Sequence, residues 1–219
     1  TVGGGLQNTA SGNFSTVGGG YYNTAAGYNS FAVGLGATID AAHNGTFIFS
    51  DSTVALFNSA VADEFAVRST GGVRFVTGVD VSSVPTAGVV LAAGASAWSP
   101  LSARASKENF TPVDVIAVLE KVASMPVEEW NYIAQEDSIR HIGPMAEDFR
   151  AAFGVGDFVG RITSTDADGV ALAAIQGLNL KLTQELDAKQ TEIDRLEAEN
   201  EKHLERFASL EQRLLAMEA

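Results

Sequence analysis

The chain has 219 residues, a formal net charge of −13 and no cysteine, which excludes a disulfide framework and any thiolate metal site. Lysine is absent before Lys107, and Arg68 and Arg74 are the only arginines ahead of position 100, so the clustered cations that nucleic acid or an anionic membrane surface requires are missing. Composition changes sharply along the chain, which predicts a series of segments and not one uniform core.

The first segment repeats. Thr1-Val2-Gly3-Gly4-Gly5 returns as Thr16-Val17-Gly18-Gly19-Gly20 and again as Ala32-Val33-Gly34-Leu35-Gly36, while Asn8-Thr9-Ala10-Ser11-Gly12 returns as Asn23-Thr24-Ala25-Ala26-Gly27. A period of about fifteen residues signals stacked units. Each unit offers one short strand with one or two apolar side chains between Gly and Asn residues suited to tight turns, so a single coil buries too little to stand alone and the coils must stack. No Gly-Lys-Ser/Thr follows the glycines, so they do not form a phosphate cradle. Residues 1–36 resemble the head repeats of trimeric autotransporter adhesins, and the stretch from His43 to Ser52 is similar to the segment that closes such repeats; the resemblance implies a β-roll over residues 1–52, packed against two further copies. Thr1 falls inside a repeat, with no initiator Met, basic leader or long apolar span, so the natural protein is expected to extend further towards its N-terminus, and this stretch to hold no signal or membrane segment.

Residues 53–100 alternate apolar and polar side chains, as in Phe65-Ala66-Val67-Arg68 and Val73-Arg74-Phe75-Val76, with Gly71-Gly72 placed as a turn. Short antiparallel strands are predicted, including a hairpin through that glycine pair. Asp63, Glu64 and Asp80 are scattered here and read as solvated turn residues.

The stretch from Trp98 through Ser102 and Lys107 to Phe110 carries the most information. It resembles the entry to the intramolecular chaperone auto-processing domain at the C-termini of phage endosialidases, tailspikes and neck appendages, and of membrane-bound myelin regulatory factors, where the family commonly reads Ser-Asp-x-x-x-Lys-Glu-Asn. The likeness continues through Val118-Leu119-Glu120-Lys121, Trp130-Asn131-Tyr132, the run from His141 to Phe149 and the run from Asp168 to Gln176. It implies an α+β chaperone domain over residues 101–182 and a serine–lysine dyad, with Ser102 as nucleophile and Lys107 as its base. An ordinary lysine is almost wholly charged at neutral pH, so desolvation on trimer assembly would be what frees the amine. The enzyme so implied is a single-turnover serine endopeptidase that cuts itself beside Ser102, in the neighbourhood of Leu101, Ser102 and Ala103; the residues leave open whether Leu101–Ser102 breaks by an N-to-O acyl shift or Ser102–Ala103 by another geometry. Glu108, Asn109 and His141 are supporting candidates, although a histidine beside Ile142-Gly143-Pro144 more often packs and hydrogen-bonds than carries protons. The three histidines lack metal-ligand spacing, and neither metal nor cofactor is expected. Two positions depart from the family: Ala103 stands where Asp is usual, which bears on whether cutting is retained, and Glu147 where Gln is frequent.

Thr111-Pro112-Val113-Asp114 supplies a cap, a proline at the first helical position and an acid in the first turn, predicting a helix to about Ser124. A second helix is expected from Pro144 to Gly154, and a third from Asp168 nearly to the end. Within the third, Leu186, Ile193, Asn200, Phe207 and Leu214 share one seven-residue series and Leu182, Lys189, Leu196, His203, Leu210 and Met217 the other. These are the a and d positions of a coiled coil over residues 183–219, with Lys189, Asn200 and His203 helping to fix register. The expected fold is therefore mixed: a β-rich trimeric stalk, an α+β chaperone domain and a C-terminal coiled coil. The expected role is an intramolecular chaperone that trimerises and folds an extracellular or virion fibre. The other reading is a surface adhesin or receptor-binding fibre tip without proteolysis, whose partner would be a host-surface glycan or protein met by Tyr21, Tyr22, Tyr28 and Phe31; those rings would serve equally to fill a trimer core.

Overall fold

A computed structural model describes residues 1–218, apart from the side chains of residues 215 and 218, so Ala219 at the end of the predicted coiled coil lies outside the described residues. The chain divides into two units, Thr1–Asn109 and Phe110 onward.

In the first unit, β1 (Thr9–Ala10), β2 (Thr16–Tyr21), β3 (Thr24–Ala25), β4 (Phe31–Leu35), β5 (Ala37–Ile39), β6 (Phe47–Ser50), β7 (Phe57–Asn58) and β8 (Phe65–Arg68) alternate between two sheets. Odd strands pair in one parallel sheet and even strands in the other. This is a β-solenoid, and its period is the repeat read from the sequence. Thr16, Phe31, Phe47 and Phe65 fall in register, and the three phenylalanine rings stack at 5.0 Å per step. The interior is narrow: Val17, Ala25, Ala32, Ala37, Ile39 and Ile48 fill it completely screened from solvent. Asparagines close one corner of successive coils. Asn8 Nδ2 donates to the Gly4 and Gly20 carbonyls, and one coil later Asn23 Nδ2 donates to Gly19 and Gly34, while the Asn23 Oδ1 accepts from the Ala37 N–H at 2.8 Å.

The last coil carries a different device. Arg68 Nη2 reaches the Leu35 carbonyl (3.2 Å), the Thr53 carbonyl (2.9 Å) and the Ser50 hydroxyl, Nη1 donates to the Ala55 carbonyl at 3.0 Å, and Nε pairs with Asp51 Oδ1 at 3.2 Å. The Thr70 N–H and hydroxyl donate to Asp51 Oδ2 at 2.6 and 2.7 Å, and the Thr53 N–H to Oδ1. Those donors, Thr70 first, hold the Asp51 carboxyl well below the usual carboxylate range. A carboxyl whose pKa is depressed by folding stabilises the fold above the unfolded value, and the contribution disappears as pH falls through the folded value. Asp51→Asn is therefore expected to lower the urea midpoint at neutral pH, and the gap to the native chain should narrow steadily below about pH 4, where an unfolded Asp titrates. A gap independent of pH would show that the Asp51 charge contributes nothing.

Beyond the solenoid, β9 (Gly72–Val79), β10 (Pro85–Ala92) and β11 (Ser99–Pro100) form an antiparallel sheet in the order β11-β10-β9. Asp80 makes the β9–β10 turn, its Oδ1 accepting from the Ser82 and Val84 N–H groups. The hairpin predicted through Gly71-Gly72 does not form. Phe65–Arg68 pairs parallel with Phe47–Ser50 as a further solenoid rung, because stacking Phe65 on Phe47 and burying Ile48 continues an interior already built, whereas a two-stranded hairpin has no face to cover.

The second unit comprises α1 (Val115–Ser124), β12 (Glu128–Trp130), β13 (His141–Gly143), α2 (Ala146–Phe153) and α3 (Ser164–Glu218). The first helix starts later than predicted: Asp114, not Thr111, is its cap, with the carboxylate accepting from the Ile116 and Ala117 N–H groups. The second ends at Gly154 as expected. The third begins before Asp168, at a reciprocal cap in which the Thr163 hydroxyl donates to Asp166 and accepts from its N–H. Helices α1 and α3 pack together, with Gly177 allowing the approach, since any side chain there would meet the Val115 carbonyl. Among the described residues, Phe149 and Ala174 are the only buried hydrophobics in this unit. The a and d side chains Leu182, Leu186, Ile193, Leu196, Phe207, Leu210, Leu214 and Met217 are all exposed on the single chain.

Candidate functional site

Ser102 and Lys107 lie just after β11, and the turn between them brings them together. The Ala103 carbonyl accepts from the Ser106 N–H at 3.1 Å and from the Ser106 hydroxyl at 2.9 Å, and the Arg104 carbonyl accepts from the Lys107 N–H at 3.1 Å. Residues Arg104–Ser106 thus form one turn of 3₁₀ helix. Three residues per turn return the chain so that Lys107 Nζ donates to Ser102 Oγ at 2.6 Å. Both side chains are exposed on the single chain.

Leu101, Ala103, Glu108 and Asn109 flank this pair along the chain. Leu101 donates its N–H to the Gly88 carbonyl at 3.0 Å, and Ala103, extended at φ −64°, ψ 145°, opens the turn. Glu108 is exposed, and Asn109 leaves the turn in the left-handed region at φ 56°. His141 belongs to the second unit. There its Nε2 meets Gln135 Oε1 at 2.9 Å and its ring lies against Trp130 and Tyr132, with centroids 4.9 and 5.4 Å away, a packed and hydrogen-bonded setting. Glu147 sits in the first turn of α2. On the solenoid, Tyr21 and Tyr22 border a pocket of about 290 Å³ with Leu35, Val54 and Leu56; Tyr28 meets Phe14 edge-on, and Phe31 stacks within the phenylalanine column.

Sequence reading passed over Ser106. Its signal is a hydroxyl three residues after Ala103, the spacing at which a serine closes a turn on a preceding carbonyl. The site is thus a serine hydroxyl in contact with a lysine amine, set after an edge strand at a short turn.

In chain order the protein is a β-solenoid, an antiparallel sheet, the Ser102–Lys107 turn and an α+β unit with a 55-residue final helix. Residues 102–156 match the family described as the chaperone of endosialidase, which supports a chaperone domain in that stretch, and the match begins at Ser102 itself. No curated protein and no solved structure gives a match. No helix among the described residues is long and apolar enough to cross a membrane.

Proposed function

We propose that residues 102–219 act as an intramolecular chaperone that brings three copies of the chain into register and folds the upstream β-solenoid of an extracellular or virion fibre, and that the chain then cuts itself beside Ser102. The observation that carries this reading is the 2.6 Å contact of Lys107 Nζ with Ser102 Oγ at the first residue of the chaperone match. The exposed a and d side chains of α3 supply the surface that assembly would cover, in heptads suited to a coiled coil. Helices form locally and quickly while parallel β pairing is slow, so a helical end that gathers three chains gives weak coils their neighbours.

The chemistry needs no cofactor. With its amine free, Lys107 accepts the proton of Ser102 Oγ across the same contact. For the Leu101–Ser102 bond, the oxygen attacks the Leu101 carbonyl carbon, the C–N bond breaks and the proton passes to the departing Ser102 amine. Water then hydrolyses the ester, leaving a Leu101 carboxylate and regenerating the hydroxyl. Reactant and nucleophile belong to one residue, so orientation and not recognition of a foreign peptide supplies the rate.

Light scattering on the purified chain, joined to the same measurement on a chain ending at Leu182, tests the assembly. The full chain, carrying Ser102→Ala so that it stays uncut, is expected at the mass of three copies and the shortened chain at lower mass. A folded, solitary species at micromolar concentration for the full chain would overturn the proposal.

A further inference from the structure

The segment leading into the Ser102–Lys107 pair is held as a bound substrate peptide would be. Ser99 and Pro100 pair antiparallel with Val90 and Val89 of β10, and the Leu101 N–H extends the ladder onto the Gly88 carbonyl. Gly88 lies at a shift in the β9–β10 register, with φ 146°, and a side chain there would run into the Phe75 carbonyl. Bulges at such glycines re-aim groups beside functional sites, here at the position that receives Leu101. One step further upstream, the Trp98 ring rests on Phe75 of β9, centroids 5.5 Å apart and tilted 38°. Downstream, the Ala103 carbonyl is gathered into the 3₁₀ turn. Ser102 is thus the single residue between two anchored stretches.

Resting on the self-cleavage reading above, we infer that β10 is a built-in substrate-binding strand: it holds residues 99–101 in its ladder, Phe75 of the adjoining β9 holds the Trp98 ring, and together they present the Leu101–Ser102 peptide to the dyad. Gly88, Phe75 and Trp98 are positioning residues. Peptides recognised by strand addition take affinity from main-chain bonds and selectivity from anchored side chains; this chain supplies both to itself. Because Leu101 keeps its place on β10 after the bond is cut, the edge stays occupied by product, which confines the site to one turnover and excludes a foreign peptide of the same sequence.

The test combines cleavage rate with amide hydrogen exchange in the full chain. In uncut Ser102→Ala, the Leu101 amide is expected to exchange as slowly as the β10 amides that pair with β9. Trp98→Ala, made with and without Ser102→Ala, should expose the Leu101 amide, leave β9–β10 protected and slow cleavage about 10- to 100-fold, the scale on which small misplacement of a reacting group acts. Trp98→Phe should restore both, and the pH midpoint of cleavage should not move, since the dyad itself is intact. Phe75→Ala removes the opposite ring and is expected to match Trp98→Ala, which guards against one variant misfolding. Unchanged cleavage in both alanine variants, or a Leu101 amide that exchanges freely beside a protected β9–β10 pair, would overturn the inference and leave self-cleavage standing. Absence of cleavage in every chain, native included, would instead overturn the reading on which it rests.

Discussion

Ser102→Ala is expected to hold every chain in one piece on a denaturing gel, where the native chain separates into two fragments at residue 102. The variant lacks the attacking oxygen, so its loss is total. Lys107→Met keeps the stem and removes the base; losing a positioned general base should slow cleavage by about 10² to 10⁴-fold. Lys107→Arg should fare no better, because a guanidinium does not give up its proton. The Ala103→Asp chain, which restores the residue the auto-processing family commonly has after its serine, is expected to cut at least as fast as the native one. Intact mass measurement places the break on one side of Ser102 or the other. Fragments that persist unchanged in Ser102→Ala would assign the cut to an outside protease.

The second large effect lies in the solenoid. Asn23 is fully enclosed, and its side chain satisfies the Ala37 N–H and the Gly34 carbonyl while meeting Asn8 in the preceding coil. Asn23→Ala removes the side-chain acceptor of the buried Ala37 N–H, at about 1–3 kcal/mol for a buried donor left unsatisfied. Asn8→Ala, in a coil closer to solvent, should cost about 0.5–1.5 kcal/mol, the range of an ordinary hydrogen bond. Urea unfolding at a fixed protein concentration, needed because assembly adds a mass-action term, measures both. Equal losses for the two variants would show that burial does not set the contribution of this ladder.

Much of this architecture can be read in the residues, and the exceptions have physical causes. The glycine–asparagine repeat foretells coils because the Asn side chain and the backbone carbonyls recur with the same spacing in each. Its continuation to Phe65 is hidden, since the residues between Ser50 and Phe65 lengthen the last coil and blur the period, and it takes the parallel pairing with Phe47–Ser50 and the ring stack on Phe47 to show that Phe65 belongs to it. Thr111-Pro112 reads as a helix start, yet the carboxylate of Asp114 accepts two N–H groups where Thr111 accepts none. The long helix is legible in its heptads, whereas its true beginning depends on Thr163 and Asp166 capping each other. Of the site, the serine and the lysine are legible through the resemblance. The Ser106 hydroxyl that closes their turn and the Gly88 carbonyl that receives Leu101 are not, because each acts through a main-chain bond that no residue type announces.

The Arg68 guanidinium, on the last strand of the solenoid, gathers the Leu35, Thr53 and Ala55 carbonyls and the Ser50 hydroxyl, a set of partners that the asparagine corners upstream do not use. The roll therefore has polarity. Windings can be gained or lost upstream, each meeting the same asparagine corner, without disturbing the plug or the machinery that follows it. The number of coils is in this way free to vary while the Arg68 plug stays the same.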